Sequence, residues 1–218
     1  MWSWLPDELL QRIVQLVAER APRALAIFVL LDQRSRALAA ARLARMKPLL
    51  TAPFRLTVQS IFGGSDTLDL SSRALRPEGM EVLGLALVSG ALPALQIMGL
   101  GNNNIGDVGL QAFADALGKG ALASLETLYL YSNAIGDDGM SALASACASG
   151  ALPQLENLWL GGNSIGDASL SALADVVSRG ALAQLTTLRL GRNQIGDAGL
   201  SSLAAAVGNG ALDHLTVC

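Results

Sequence analysis

The sequence repeats itself every thirty residues over most of its length. The tripeptide Gly-Ala-Leu begins at five positions with this spacing: Gly90, Gly120, Gly150, Gly180 and Gly210. Each interval follows the pattern GALxxLxxLxLxxNxIGDxGLxxLAxAxxx with few departures. A fixed period of roughly 20–50 residues is typical of arrays in which each unit is one supersecondary structure. Such a unit cannot bury its apolar face alone, so the units must stack and share one core.

We assign the repeats to residues 68–218. Four full units run from Gly90 to Asn209. A degenerate unit precedes them, with its key residues thirty positions before their counterparts: Leu68, Leu70, Leu75, Gly79, Leu83 and Leu87. It has Arg73 where the later units have asparagine, and an atypical first unit is typical of a cap. One truncated unit follows and reaches Cys218, which corresponds to Leu128 of an earlier unit.

The first half of each unit has the pattern of a short strand followed by a turn. Leu128 and Leu130 alternate with Tyr129 and Tyr131, and this period of two predicts a strand with one buried side. One asparagine follows each strand: Asn103, Asn133, Asn163 and Asn193. An asparagine amide can turn inward and bond backbone groups where the chain bends. We therefore expect a ladder of buried amides along the array.

The second half of each unit has the pattern of a helix. Leu110, Phe113, Ala114 and Leu117 have the i, i+3, i+4, i+7 spacing of one apolar helix face. One aspartate precedes each predicted helix: Asp107, Asp137, Asp167 and Asp197. We expect these aspartates to act as the N-caps of their own helices. The glycine that opens the next unit can end the helix in a left-handed conformation.

Strand, turn, helix and return loop in each unit predict an α/β solenoid. Paired strands lie about 4.8 Å apart, whereas packed helices need about 8–10 Å. The difference should bend the array into an arc, with a parallel sheet on the concave face and helices on the convex face. The segment that precedes the repeats would add a small group of N-terminal helices.

These units resemble leucine-rich repeats, in particular the long helical subtype typified by ribonuclease inhibitor. The resemblance is carried by the following residues in two successive units: Leu125, Leu128, Leu130, Asn133 and Ile135, then Leu155, Leu158, Leu160, Asn163 and Ile165. It covers residues 68–218. The thirty-residue period is longer than the usual period of roughly 20–29 residues, and we attribute the excess to the Gly-Ala-Leu return loop. The resemblance implies a monomeric module that binds a protein partner.

The residues expected to bind that partner project from the concave face of the sheet. Tyr129, Trp159 and Arg189 occupy one exposed column with Gly99, and Tyr131 occupies the next column with three glycines: Gly101, Gly161 and Gly191. Arg192 lies just beyond the second column. Tyr, Trp and Arg are the residue types that most often contribute binding energy at protein interfaces. The glycines should leave room for a partner to approach.

Residues 1–50 do not follow the repeat, and 51–67 form a joint. The string LPDELLQRIVQLV resembles the start of an F-box, which docks proteins onto the adaptor subunit of SCF-type ubiquitin ligases. This resemblance implies an adaptor-docking surface and a role as a substrate receptor. The surface would comprise Leu5, Pro6, Leu9, Leu10 and Ile13. Ser35 departs from the F-box pattern, which usually has an aromatic residue there. The alternative is that these helices only cover the first strand of the array.

The charge distribution argues against nucleic-acid and membrane partners. The formal net charge is −3, but residues 51–218 carry seven basic and fourteen acidic side chains. This part should repel phosphate backbones and anionic membrane surfaces. The start of the chain lacks the features of a signal peptide, and the longest apolar run, Ala24 to Leu31, is too short to span a bilayer. We expect a location in the cytoplasm or the nucleus.

Residues that could support catalysis or bind a cofactor are sparse. Cys147 takes the place of Leu117 in an earlier unit and should be a core residue, and His214 should lie on the surface of a return loop. We therefore expect no enzyme activity, no metal and no cofactor. Two alternatives to a binding module as such remain: a regulator of an enzyme, like ribonuclease inhibitor or the activators of Ran-type GTPases, or a fragment without a function of its own.

Overall fold

A computed structural model describes residues 66–88, 95–212 and 214–217, and in this part of the chain strands and helices alternate. The strands are β1 (Thr67–Asp69), β2 (Ile97–Gly99), β3 (Thr127–Tyr129), β4 (Asn157–Trp159), β5 (Thr187–Arg189) and β6 (Thr216–Val217). The helices are α1 (Arg76–Val88), α2 (Gly106–Leu117), α3 (Asp137–Ala148), α4 (Asp167–Ser178) and α5 (Asp197–Gly208). The predicted N-terminal helices and nearly all of the joint lie outside the described residues.

The six strands form one parallel sheet in chain order. Leu128 lies opposite Leu158, and Leu158 lies opposite Leu188. Residues thirty positions apart in the sequence are therefore paired in the sheet. The last pair differs from the expected correspondence, because Val217 rather than Cys218 lies opposite Leu188. Strand β6 lies at one edge of the described sheet and has only two residues. The predicted α/β solenoid with a parallel sheet is confirmed.

One continuous core runs between the sheet and the helices. The inward strand leucines of β1 to β5 and the predicted helix face of α2 to α4 are buried, and Leu128, Leu158 and Phe113 are at most 1% exposed. In α5, the last helix, Leu200 of this face is 47% exposed. Each helix packs against the helices of adjacent units. The degenerate unit takes part fully, because its leucines at positions 68, 70, 75, 83 and 87 belong to the same core. The units therefore stabilise each other by sharing apolar surface.

The predicted asparagine ladder is present, and it joins each unit to its neighbour. The Asn133 amide group donates to the carbonyls of Leu100 and Leu130, at 2.9 and 3.1 Å. Its Oδ1 accepts the backbone N–H of Asn103 at 2.8 Å. The Oδ1 of Asn163 accepts the N–H of Asn133 in the same way, at 2.9 Å. These amides satisfy backbone groups that the turn would otherwise leave buried without partners.

The helices end as the sequence predicts. Gly150, which opens a unit, has a φ of +87°, and its three counterparts have φ values between +82° and +90°. The N–H of Ala151 donates to the carbonyl of Ala146 at 3.1 Å, and the N–H of Gly150 donates to that of Cys147 at 2.9 Å. This pair of bonds is the Schellman motif, in which glycine adopts the left-handed conformation at little cost.

The aspartates cap helices, but not the helices that they precede. The Oδ1 of Asp107, in the first turn of α2, accepts the N–H groups of Gly136 and Gly139 at the start of α3, at 2.7 and 3.0 Å. Asp167 does the same for Gly196 and Gly199 at the start of α5, at 2.7 and 3.0 Å. The expectation that each aspartate is the N-cap of its own helix was therefore wrong.

The reason lies in where the helices begin. Helix α3 begins at Asp137 itself, so its N-cap is Gly136, which has no side chain to offer. A carboxylate inside the first turn cannot act as the N-cap of that turn. The side-by-side packing of units instead brings it to the N–H groups of the next helix. Asp107, Asp137 and Asp167 each join two units and cap the helix of the following unit.

Asp107→Ala is expected to lower the free energy of unfolding by about 1 kcal/mol, since an N-cap of this kind contributes roughly 0.5–2 kcal/mol. The matched control is Asp197→Ala, because Asp197 holds the same place in the last helix and accepts no hydrogen bond from any described residue. Both changes remove the same charge from a helix start, so urea denaturation of the two variants isolates the inter-unit bond. Equal losses would contradict this assignment.

In the α3 to α4 junction a serine replaces the glycine of the other units. The Ser169 hydroxyl donates to the Oδ1 of Asp137, which also accepts the N–H of Gly166 at 2.8 Å. The serine hydroxyl bond, followed by the Gly166 bond, lowers the pKa of Asp137 below its ordinary value of 3.8. Because the folded pKa is depressed, this group stabilises the fold above pH 3.8 and loses that contribution as the pH falls through the folded pKa.

Ser169→Gly, which restores the residue of the neighbouring units, is expected to raise the pKa of Asp137 toward 3.8. The variant removes the largest cause of the shift and leaves the bond from Gly166. An NMR titration of the Asp137 carboxyl carbon measures the change directly. Ser164→Ala, at an exposed position in the same unit, is the control. An unchanged pKa in Ser169→Gly would show that the hydroxyl does not set it.

Candidate functional site

The third residue of each strand from β1 to β5 lies on the side of the sheet opposite the core, here called the exposed sheet face. Tyr129 lies opposite Trp159, and Trp159 lies opposite Arg189. The two aromatic side chains are half-buried and the arginine is exposed. Side chains in register on paired strands are close enough to touch. The predicted column is therefore a continuous surface.

These side chains contact each other in specific geometries. Tyr129 meets Trp159 edge to face, with ring centroids 4.9 Å apart and planes at 88°. Tyr129 also meets Tyr131 at 6.5 Å and 69°. The Arg189 Cζ atom lies 4.0 Å from the centroid of the Trp159 ring, which is a cation–π contact. We call Tyr129, Tyr131, Trp159 and Arg189 the aromatic–arginine cluster.

The glycines on this face divide into two kinds. A Cβ atom at Gly101 would clash with the Tyr131 ring, so the ring already fills that space. A Cβ atom at Gly99 would clash with the Asp69 carboxylate. The expectation that these two glycines leave room for a partner was wrong, because neighbouring side chains of the chain itself lie over them.

The glycines beside Trp159 and Arg189 differ. A Cβ atom at Gly191 would meet nothing within 4 Å, and one at Gly161 would meet only the Gly191 carbonyl, at 3.2 Å. Open space on the exposed sheet face therefore begins where the tyrosines end. The backbone of Gly161 and Gly191 forms the floor of this space, next to the Trp159 indole and the Arg189 guanidinium.

Arg192 lies in the loop after β5, one residue beyond Gly191. It is exposed and has a φ of +60°. No contact joins its side chain to the aromatic–arginine cluster within the part of the chain that the structure describes. The structure thus brings together four of the five predicted partner-binding residues and leaves Arg192 beside them. The predicted adaptor-docking residues, Leu5 to Ile13, lie outside the described ranges.

Sequence reasoning missed Asp69 because it set the degenerate unit aside. Asp69 stands thirty residues before Gly99 in the same column, and this spacing could have identified it. It is exposed, and its Oδ1 accepts the N–H of Ser71 at 2.9 Å. The exposed sheet face therefore has a carboxylate at the β1 end and arginines at the β5 end.

Groups that could do chemistry are few in the described ranges. No cluster of three or more His, Cys, Asp or Glu residues with the geometry of a metal site occurs in 66–88, 95–212 and 214–217. Cys147 is a buried core residue, as predicted, and burial raises the pKa of its thiol to about 12. At neutral pH this thiol is protonated and a poor nucleophile. Within the same ranges, none of the helices is long and apolar enough to cross a membrane.

Comparison with known families identifies the repeating unit. Residues 96–114, 121–144 and 183–204 match the model of a family described as Leucine Rich repeat. The first match spans β2 and most of α2, the second spans β3 and most of α3, and the third spans β5 and most of α5. The comparison with curated proteins finds no match for the chain.

Proposed function

The chain is a leucine-rich-repeat protein, and we propose that it binds a protein partner on the exposed sheet face, which is the concave face of the predicted arc. Leucine-rich repeats generally mediate interactions between proteins and are typically non-enzymatic modules. The proposal names the surface that binds the partner and the residues that anchor it. The anchoring residues are the aromatic–arginine cluster and Arg192.

The cluster itself is the observation that carries this proposal. Both tyrosines of the protein and one of its three tryptophans are on a single face of a sheet, in a chain with only 4% aromatic residues. Their mutual contacts hold them in place before any partner arrives. Binding then costs little side-chain ordering. Tyr, Trp and Arg side chains are also the commonest hot spots of protein interfaces.

Trp159→Ala is expected to raise the Kd for the partner by at least about 30-fold, equivalent to roughly 2 kcal/mol, which is typical of a hot-spot anchor. Folding should persist, because Trp159 lies outside the core. The partner is recovered by affinity capture with the full chain, and its Kd is measured by calorimetry. The control is Gln154→Ala, at an exposed position in the return loop of the same unit.

The wild-type and Gln154→Ala chains should bind the partner alike. A Trp159→Ala chain with an unchanged Kd and an unchanged circular dichroism spectrum would exclude the cluster as the binding site. Recovery of an enzyme whose activity the chain alters would favour the regulator form of this function.

A second candidate concerns residues 1–50. We propose that they dock the chain on the adaptor subunit of an SCF-type ubiquitin ligase, so that the repeats present a substrate. The observation that favours it is the order of the two features: an F-box-like string, LPDELLQRIVQLV, followed by leucine-rich repeats. This role also favours a cytoplasmic or nuclear location. In this arrangement the chain would be one monomeric subunit of the ligase.

Co-purification from a eukaryotic lysate tests this role with the full chain. We expect a cullin-linked adaptor to be recovered with the wild type and lost with Leu9→Glu or Ile13→Glu. Trp159→Ala should keep the adaptor and lose the substrate. Failure of the wild-type chain to recover any adaptor would leave residues 1–50 with the covering role alone.

A further inference from the structure

We propose that the arginine end of the exposed sheet face recognises a carboxylate of the partner, with a large apolar or aromatic side chain beside it. The carboxylate would belong to an aspartate or glutamate in an exposed segment of the partner protein. This inference rests on the proposed function and names the chemistry of the partner at that same site.

The position of Arg189 leaves its hydrogen-bond donors available. Its Cζ atom lies 4.0 Å from the centroid of the Trp159 ring, and its N–H groups donate to no other described residue. The planar fork of an arginine matches the two oxygens of a carboxylate. Tyr129, packed edge to face against the same indole, holds the ring that supports the arginine. The guanidinium is thus oriented before binding.

Neither arginine has an acidic partner among the residues that the structure describes. Arg189 and Arg192 form no ion pair with any carboxylate in the described ranges, and both are exposed. This is notable because residues 51–218 have twice as many acidic as basic side chains, fourteen against seven. Two unpaired guanidinium groups three positions apart are a local positive site in an acidic array.

The acidic surroundings also restrict what this site can hold. A polyanion such as RNA would bring many phosphates near the carboxylates of the array, which is unfavourable. A single carboxylate on a protein segment needs only the local site. Asp69 in β1 and Arg189 in β5 stand at opposite ends of the same strand column, so a partner segment with its carboxylate at the β5 end fits this column best.

The floor beside the arginines supplies the apolar half of the recognition. Gly161 and Gly191 present bare backbone, and nothing lies within 4 Å of where a Gly191 Cβ atom would stand. A flat or bulky side chain can rest there against the indole of Trp159. At the tyrosine end the matching space over Gly101 is already filled by Tyr131. The open apolar contact and the unpaired charges therefore coincide at one end of the surface.

A random peptide library displayed on phage and selected on the full chain tests the proposal. We expect enrichment of Asp or Glu next to an aromatic or large aliphatic residue. Changing the acidic residue of a selected peptide to its amide should weaken binding about tenfold, which corresponds to the loss of one charged contact. The double variant Arg189→Glu with Arg192→Glu should instead select Lys and Arg. Arg179→Glu, an exposed arginine after the end of α4, should select the wild-type sequences.

The outcomes separate this inference from the proposed function. Peptides that need Trp159 but show no acidic preference would overturn the inference and leave the proposed function standing. A library that yields no enriched peptide, or only peptides that bind Trp159→Ala equally well, would overturn both. Binding of a mixed-sequence single-stranded RNA that the double variant abolishes would overturn the inference in favour of a nucleic-acid partner.

Discussion

Asn133→Ala is expected to lower the free energy of unfolding by about 3 kcal/mol. The side chain is fully buried, at 0% exposure, and its Oδ1 accepts the N–H groups of Asn103 and Ile105, at 2.8 and 3.5 Å. Alanine would leave both N–H groups buried without an acceptor, and each such group costs roughly 1–3 kcal/mol. The carbonyls of Leu100 and Leu130 lose less, since each still accepts a bond from the amide of another ladder asparagine.

The matched control is Asn193→Ala, the same change at the last asparagine of the ladder. Asn193 is half-buried, and among the described residues its Oδ1 accepts only the N–H of Ile165, at 3.1 Å. Water can reach this end of the ladder, so the expected loss is about 1 kcal/mol. Urea denaturation followed by circular dichroism measures both variants. Equal losses would mean that the asparagines act locally in each turn and not as a ladder between units.

Phe113→Ala is expected to cost about 4 kcal/mol, within the usual range for removing a buried aromatic side chain. Phe113 is 0% exposed and lies in α2, which packs against both α1 and α3. Removing the ring leaves a cavity between three units that share one core, and stacked helices cannot close it without losing their strand register. The loss should appear in the same urea denaturation experiment.

Phe113→Leu provides the control at the same position. The corresponding residues of the following units are Leu143, Leu173 and Leu203, all buried. Leucine therefore suits this position in the repeat, and we expect a loss below about 1.5 kcal/mol. If Phe113→Ala were no more costly than Phe113→Leu, the space around α2 would not be a packed interior.

The elements of this fold followed from the sequence because each has a local cause. The alternation of apolar and exposed residues predicted the strands, and the i, i+3, i+4, i+7 spacing predicted the helix faces. The glycine at the start of each unit predicted where the preceding helix ends. The role of the asparagines also followed, since a buried turn needs an amide with both a donor and an acceptor. Repetition strengthened each inference, because four units carry the same residues at the same positions.

The features that could not be predicted depend on which neighbour a side chain reaches. Asp107 lies in the first turn of its own helix and beside the start of the helix in the next unit. The sequence of a single unit cannot show which of these two helices the carboxylate caps. The contact of Tyr131 with Gly101 has the same origin, because it joins residues thirty positions apart through a side-chain orientation. The contact of Arg189 with Trp159 also depends on the rotamers of the two side chains. The sequence therefore predicted the members of the cluster but not its geometry.

The stacking of units in a thirty-residue register is tested most directly by cysteine crosslinking. The side chains of Thr127 and Asn157 already touch, with Asn157 Nδ2 at 3.2 Å from Thr127 Oγ1. In a background with Cys147→Val and Cys218→Ser, the pair Thr127→Cys with Asn157→Cys should form an intramolecular disulfide under mild oxidation. The pair Thr127→Cys with Thr187→Cys should not, because two strand spacings, about 9–10 Å, exceed the reach of a disulfide. Equal crosslinking of the two pairs, or crosslinking of the distant pair alone, would contradict the stacked solenoid.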